Sequence, residues 1–492
     1  MTAEAPLTAA EYRDLLSTAL EEAPYADTRP PSAHTLFMPD SHRTALYVDT
    51  TVVPGGRGVG KTFWYRSLLD EGLRELAATE YRISRLRRLT VSPGHGLAML
   101  SDCYPSPQVL RSLAASGDTY DIWYAVLLNA LGEPELRALP NWSDKVAWVR
   151  ANPEPAQRTV ERADREAYDK NLVHLLLFDA LEHLHTDREQ ADRLVGGILR
   201  LALQMRFGTR SIRLKVFIRP DMFDSARQHF PDASKLSGYA AELTWSRTDL
   251  YGLLFHCLGN EDGETARRFR RINTGGWESD PEGTRHVSPL LLRNDEDSQT
   301  QLFEQIADPF MGSNFRKGRP YTWLPNHLMD GQGRISPRSF LQALLTAAEG
   351  THTGYRNHDR ALHQQAIRTG VQKASQRRVE EVSEDTPWVE LAIRPLAGCQ
   401  VPIEKQAVLD MWAEANLPAE LAKDSARYAQ ADEPRLVRTG PRHPDDLPRL
   451  IDELEALGVM TPPRRDGRLD LPDVYRIAFG LGRRGGVPRP KV

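Results

Sequence analysis

The sequence predicts an α/β protein: a three-layer core around a parallel sheet, a helical lid, and a C-terminal winged-helix domain. Three observations predict it. A glycine-rich stretch, Gly55 to Thr62, lies between an apolar β-branched run and a helix-like run. A second apolar run, Leu172 to Phe178, ends in the acid Asp179. Near the C-terminus a helix-like segment, 447–457, precedes two short runs around Asp466-Gly467. An apolar run that ends in a carboxylate reads as a buried parallel strand. A helix followed by a hairpin is the order of a winged helix.

At 492 residues the chain has room for two to four domains. A net charge of -4 argues against wholesale nucleic-acid binding but leaves room for a local basic patch. Cys103, Cys257 and Cys399 lie far apart with no C-x-x-C, so neither a disulfide framework nor a zinc site is expected. The N-terminus lacks the basic and apolar regions of a signal peptide. No run of about 18 apolar residues is present, so no membrane span is expected and a cytoplasmic location is.

Thr8 and Glu11 form a capping-box pattern opening a helix to about Leu20, with Tyr12, Leu15, Leu16 and Ala19 on one face. Residues 24–43 read as an extended connector, so the first segment is 1–43. The core is expected over 44–258. Its first strand is Leu46 to Val53. The loop that follows fits G-x-x-x-x-G-K-[ST], the P-loop pattern, with Gly55, Gly60, Lys61 and Thr62 in register. Glycines at 55, 56, 58 and 60 let the backbone turn its N–H groups toward a phosphate. Lys61 can reach the β- and γ-phosphates, and the Thr62 hydroxyl can ligate Mg²⁺. Gly55, Gly56, Arg57, Gly58, Val59, Gly60, Lys61, Thr62 and Phe63 are therefore the expected nucleotide contacts, with ATP and Mg²⁺ as cofactors.

A second strand is expected at 88–92, ended by Pro93-Gly94, and a helix at 119–131. Residues 132–170 read as an insertion, helical from about 156. Asp179 at the end of the next strand would hold Mg²⁺, the Walker B pattern. Glu182, three residues on, is the candidate to orient the attacking water; the alternative is a charge favoured at a helix N-terminus. His174 reads as a packing residue. A helix is expected at 187–207, then a strand from Arg213 to Arg219. Arg219 could sense the γ-phosphate or pair with Asp221 or Asp224. Residues 241–245 read as a last strand, and 247–258 as a helix.

Residues 259–300 look like a long surface loop, with Arg267, Arg268, Arg270 and Arg271 as a solvated face or an arginine finger. The aromatic, turn-rich stretch 308–334 suggests an ordered loop. Ser336 caps and Pro337 opens a helix that carries Arg338 in its first turn. Residues 350–385 read as charged helix, so 259–385 is assigned to insertion and lid, and 386–492 to the winged-helix domain with a basic tail. Arg464, Arg465 and Arg468 would sit at the tip of the wing.

These motifs resemble the AAA+/STAND superclass of P-loop ATPases, in particular bacterial STAND-like and origin-recognition-like ATPases with a C-terminal winged helix. GGRGVGKT is the specific part. LLLFDALE resembles the STAND habit of placing a second acid three positions after the Mg²⁺-binding Asp. KVFIRPDMF resembles a sensor strand, and Ser336-Pro337-Arg338 a sensor-2 motif. The resemblance implies an ATPase whose nucleotide state governs partner engagement, with Lys61, Glu182, Arg219 and Arg338 in catalytic roles. It also implies assembly on ATP binding and a place in antiviral defence. Asp-Ala-Leu-Glu in place of adjacent Asp-Glu makes a slow switch as natural as a motor. Two other functions fit the same motifs: a DNA-binding ATPase of origin-recognition or transposition type, working through the wing and tail, and a scaffold that ATP only stabilises. The wing could equally dock a protein, as Asp445-Asp446 and the net negative charge suggest.

Overall fold

Alternation of apolar residues sorts the strands of the core. Strand β4, Ile212–Ile218, turns Ile212, Leu214, Val216 and Ile218 to one face, where they join a single buried cluster. Arg213, Lys215 and Phe217 fall on the other face. Strand β3, Val173–Phe178, contributes Leu176 and Phe178 to the same cluster. With β1, Val52–Pro54, and β2, Leu89–His95, they form a four-stranded sheet in the order β1-β4-β3-β2, and every pairing is parallel. The helices Thr119–Leu131 and Arg188–Gly208 pack on each other over the clustered face. The helix Lys61–Leu69 packs against β2 and β4.

The structure is a computed structural model that describes residues 5–22, 29–115, 117–185, 187–227, 233–272, 276–280, 284–429 and 440–484. It divides into two compact units. One is His42–Leu243; the other joins Met1–Ser41 with Thr244–Ala431 and Gly440–Val492. The expected segments 1–43, 44–258, 259–385 and 386–492 are thus grouped differently. The N-terminal helix Ala9–Leu20, opened by the Thr8–Glu11 capping box, packs against the helix Pro337–Gly354.

Several elements differ from expectation. The first strand is Val52–Pro54 rather than 46–53, because a 3₁₀ helix occupies Asp40–Leu46 and the chain then wraps the buried ammonium of Lys215. The Lys215 Nζ donates to the carbonyls of Ala45, Tyr47 and Thr50 at 2.6, 3.0 and 2.7 Å, which commits that backbone to a turn. Strand β2 runs through Pro93-Gly94 instead of stopping there; it is the edge strand, and the register shifts between Pro93 and His95. Residues 132–170 are not an add-on: helices Trp142–Ala151 and Pro153–Asp169 place Trp142, Val146, Val149, Ala156 and Val160 in the main cluster. No regular strand forms at 241–245. The chain there only follows β1, through Ala241 N–H to Val52 O at 3.0 Å and Leu243 N–H to Pro54 O at 2.8 Å.

In the other unit, 259–300 holds helices Glu264–Ile272 and Glu296–Ile306 and a two-residue hairpin pair, not a long loop. The arginine run lies on the first of these helices: Arg267 and Arg271 pair with Glu264, and Arg268 with Glu11. The helix Gln364–Asp385 packs along Pro337–Gly354. A further buried cluster spans Trp388 to Leu481. The expected wing strands at 459–471 do not form. Pro462 and Pro463 remove two backbone donors from one arm, leaving a turn with Gly467 at φ 79° and a single bridge from Leu469 to Ile403. The basic tail is described only as far as residue 484; 485–492 lie outside the described residues.

Candidate functional site

The glycine loop stands between β1 and the helix Lys61–Leu69. Gly55 N–H donates to Ile218 O at 3.0 Å, which anchors the loop to β4. Gly58 and Gly60 take φ of 73° and 103°, a region that disfavours any residue with a Cβ. A Cβ on Gly55 would sit 2.7 Å from the Val59 Cγ2, so that glycine is required by close packing. The Lys61 side chain is buried, and its Nζ donates to the carbonyls of Gly55 and Gly56, both at 2.9 Å. Burial lowers its pKa, while Glu182 and Asp179 nearby favour its charge.

Asp179 follows β3 directly and is buried. Among the described residues no hydrogen bond of ordinary geometry reaches either carboxylate oxygen. Burial, with Glu182 adding to it, pushes its pKa up to about 6, although the nearby Thr62 hydroxyl and Lys61 oppose the rise. A buried carboxylate with both oxygens unsatisfied is costly. Such a group, beside a threonine hydroxyl, is what a hard, oxygen-seeking divalent cation requires. Thr62 and Asp179 therefore fit the expected Mg²⁺ ligands.

Ala180 then takes the left-handed conformation, φ 57° and ψ 38°, unusual for alanine. It turns the chain into the short 3₁₀ helix Leu181–His183, which brings Glu182 back toward Lys61. Burial raises the Glu182 pKa, but Lys61 and other cations outweigh it and the net shift is downward, so Glu182 is a carboxylate at neutral pH. Arg219, at the end of β4, pairs with Asp221 at 3.1 Å, and both also influence Lys61. The structure thus brings together Lys61, Thr62, Asp179, Glu182 and Arg219. Arg338 belongs to the other unit, where it donates to Glu381 at 3.0 Å. His174 lies within β3, half-buried, as a strand residue.

No protein-family model matches this chain, and no curated protein does. Among solved structures it is similar to the ORC2 protein of Aeropyrum pernix. In the ADPNP–ADP complexes the identity is 14%, with 86% of this chain and 84% of that one covered and a TM-score of 0.38. In the ADP form the identity is again 14%, with 96% and 91% covered and a TM-score of 0.32. TM-scores this low do not establish a shared fold.

One residue of the site escaped the sequence reading. His95, at the end of β2, is buried and its Nδ1 lies 2.8 Å from the Asp179 carbonyl oxygen. Its ring packs near Tyr104 and Trp123, with centroids 5.4 and 6.3 Å away. Only its position after a strand could have signalled it, and Pro93-Gly94 hid the strand's end.

Proposed function

We propose that this chain binds ATP with Mg²⁺ and hydrolyses it as an AAA+/STAND-like switch, passing its nucleotide state to a protein partner. One observation carries the reading. The buried, unsatisfied carboxylate of Asp179 shares its surroundings with Thr62, Lys61 and Glu182, at the end of a strand beside a glycine loop. In this reading the loop N–H groups and Lys61 bind the phosphates, the ammonium leaving the Gly55 and Gly56 carbonyls for the β- and γ-oxygens. Thr62 and Asp179 would hold the Mg²⁺, which would neutralise charge on the phosphate oxygens. Glu182, ionised at neutral pH, orients and accepts a proton from the attacking water. Arg219 is the candidate within this unit to register the γ-phosphate.

We assign the C-terminal cluster to protein docking rather than to DNA. Arg468 pairs with Asp466 at 2.6 Å and Arg464 reaches Asp470 at 3.5 Å, so two of the three tip arginines are already matched by carboxylates. Assembly on ATP and a defence role belong to the same reading. Phosphate release tests it. Wild type hydrolyses ATP only with Mg²⁺, and Glu182→Gln loses at least tenfold of the rate while retaining ATP. A Glu182→Gln rate equal to wild type contradicts the assignment, and mass photometry with ATP shows whether assembly follows.

A further inference from the structure

The ends of β2, β3 and β4 opposite the glycine loop border a second feature. A cleft of about 560 Å³ opens there, lined by Arg85, Arg88, Tyr168, Asp169, Arg210 and Ser211 among others. Strand β3 is six residues long, which sets the cleft roughly 20 Å from Asp179.

The charges around it are unevenly matched. Arg85 pairs with Asp49. Arg88 donates to the Asn171 Oδ1 at 3.0 Å, a neutral partner. Asp164 accepts from the Arg210 main-chain N–H, leaving the Arg210 guanidinium to lie over the Tyr168 ring at 5.1 Å. Among the described residues neither Arg88 nor Arg210 forms an ion pair with a carboxylate, and both are exposed. Asp169 is the one acid on the lining. Tyr168 is 55% exposed.

A guanidinium without a carboxylate offers a planar fork of donors matched to phosphate oxygens. An exposed aromatic ring beside it stacks on an unpaired base, which a duplex does not present. The cleft's volume suits a nucleotide or two. We propose that this cleft binds single-stranded nucleic acid, with Arg88 and Arg210 on the phosphates and Tyr168 against a base. The surface is distinct from both the glycine loop and the arginines near Asp466, and it does not depend on ATP binding.

Fluorescence anisotropy of the full chain with a short labelled oligothymidine, over a range of salt, tests this. Arg88→Ala with Arg210→Ala should weaken binding at least tenfold and lower the slope of log affinity against log salt by about 1.4. Arg88→Lys with Arg210→Lys keeps the charge and should keep the slope, guarding against loss of fold. Tyr168→Ala should weaken binding about tenfold with the slope unchanged. Lys61→Ala, and Arg464→Ala with Arg465→Ala and Arg468→Ala, should bind the oligonucleotide as wild type does. Absence of binding at low salt, an alanine double variant with unchanged affinity and slope, or equal affinity for duplex or anionic vesicles would each overturn the proposal.

Discussion

His95 and Asp179 hold each other from neighbouring strands. The Asp179 N–H donates to the His95 carbonyl at 3.1 Å, and the His95 Nδ1 donates back to the Asp179 carbonyl at 2.8 Å. A carbonyl only accepts, so Nδ1 carries the proton. His95→Ala leaves that carbonyl without its donor and opens a hole beside Trp123. We expect a loss of about 2–4 kcal/mol in urea unfolding. His95→Asn, which can keep the donor, should lose clearly less. Equal losses would show that the hydrogen bond is incidental.

The same histidine sets a pH dependence. Burial pushes its pKa down to about 4, against about 6.5 in the unfolded chain. Between those values the unfolded state binds the extra proton. Stability is therefore fully present above pH 6.5 and falls as the pH drops toward 4, by on the order of 3 kcal/mol from this residue. The loss should be blunted in His95→Asn; an unchanged pH profile in that variant rules the residue out as the cause.

Asp179 runs the other way. Its folded pKa of about 6 lies above the unfolded value near 3.9, so at neutral pH its ionisation costs stability. The cost is relieved as pH falls through 6. Asp179→Asn should therefore raise the stability of the nucleotide-free protein at pH 7.5 by about 3 kcal/mol. It should also remove the Mg²⁺ dependence of ATP binding. A less stable Asp179→Asn protein would mean that the carboxylate is already satisfied.

Ala180 carries backbone strain in the left-handed region. Ala180→Gly should relieve it and stabilise by about 1 kcal/mol. No gain in thermal midpoint would mean that the turn is unstrained.

In the other unit, Arg476 is fully buried and pairs with Asp473 at 2.5 Å, and His327 approaches the same carboxylate at 2.5 Å. Although burial opposes ionisation, these partners hold the Asp473 pKa down to about 2. Its contribution is present above the unfolded value near 3.9 and is lost as pH falls toward 2. Asp473→Ala removes the carboxylate that Arg476 and His327 share, and we expect about 3–5 kcal/mol of destabilisation by urea titration. A loss below 1 kcal/mol would contradict that account.

The glycine loop and the strand before Asp179 were legible because their residues fix spacing: glycines at set offsets before Lys61, and a continuous apolar run before Asp179. What stayed hidden depends on distant partners. His95 meets a residue 84 positions away, behind a Pro-Gly pair that reads as a stop. Lys215 sits in the apolar run 213–219, and nothing local shows that the carbonyls of Ala45, Tyr47 and Thr50 close around its ammonium. The helix Glu264–Ile272 buries only Ala266 and Phe269, too few anchors to stand out among its arginines. Arg338 was placed by motif alone, and its ion pair with Glu381, 43 residues on, has no local signature.

Isothermal titration of ATP in the presence of Mg²⁺, comparing wild type with Lys61→Ala, tests the central claim most directly. The account predicts saturable binding by wild type and a loss of at least a hundredfold in the variant, with the fold retained by circular dichroism. Equal affinity in the two proteins would show that the loop Gly55 to Thr62 does not hold the nucleotide.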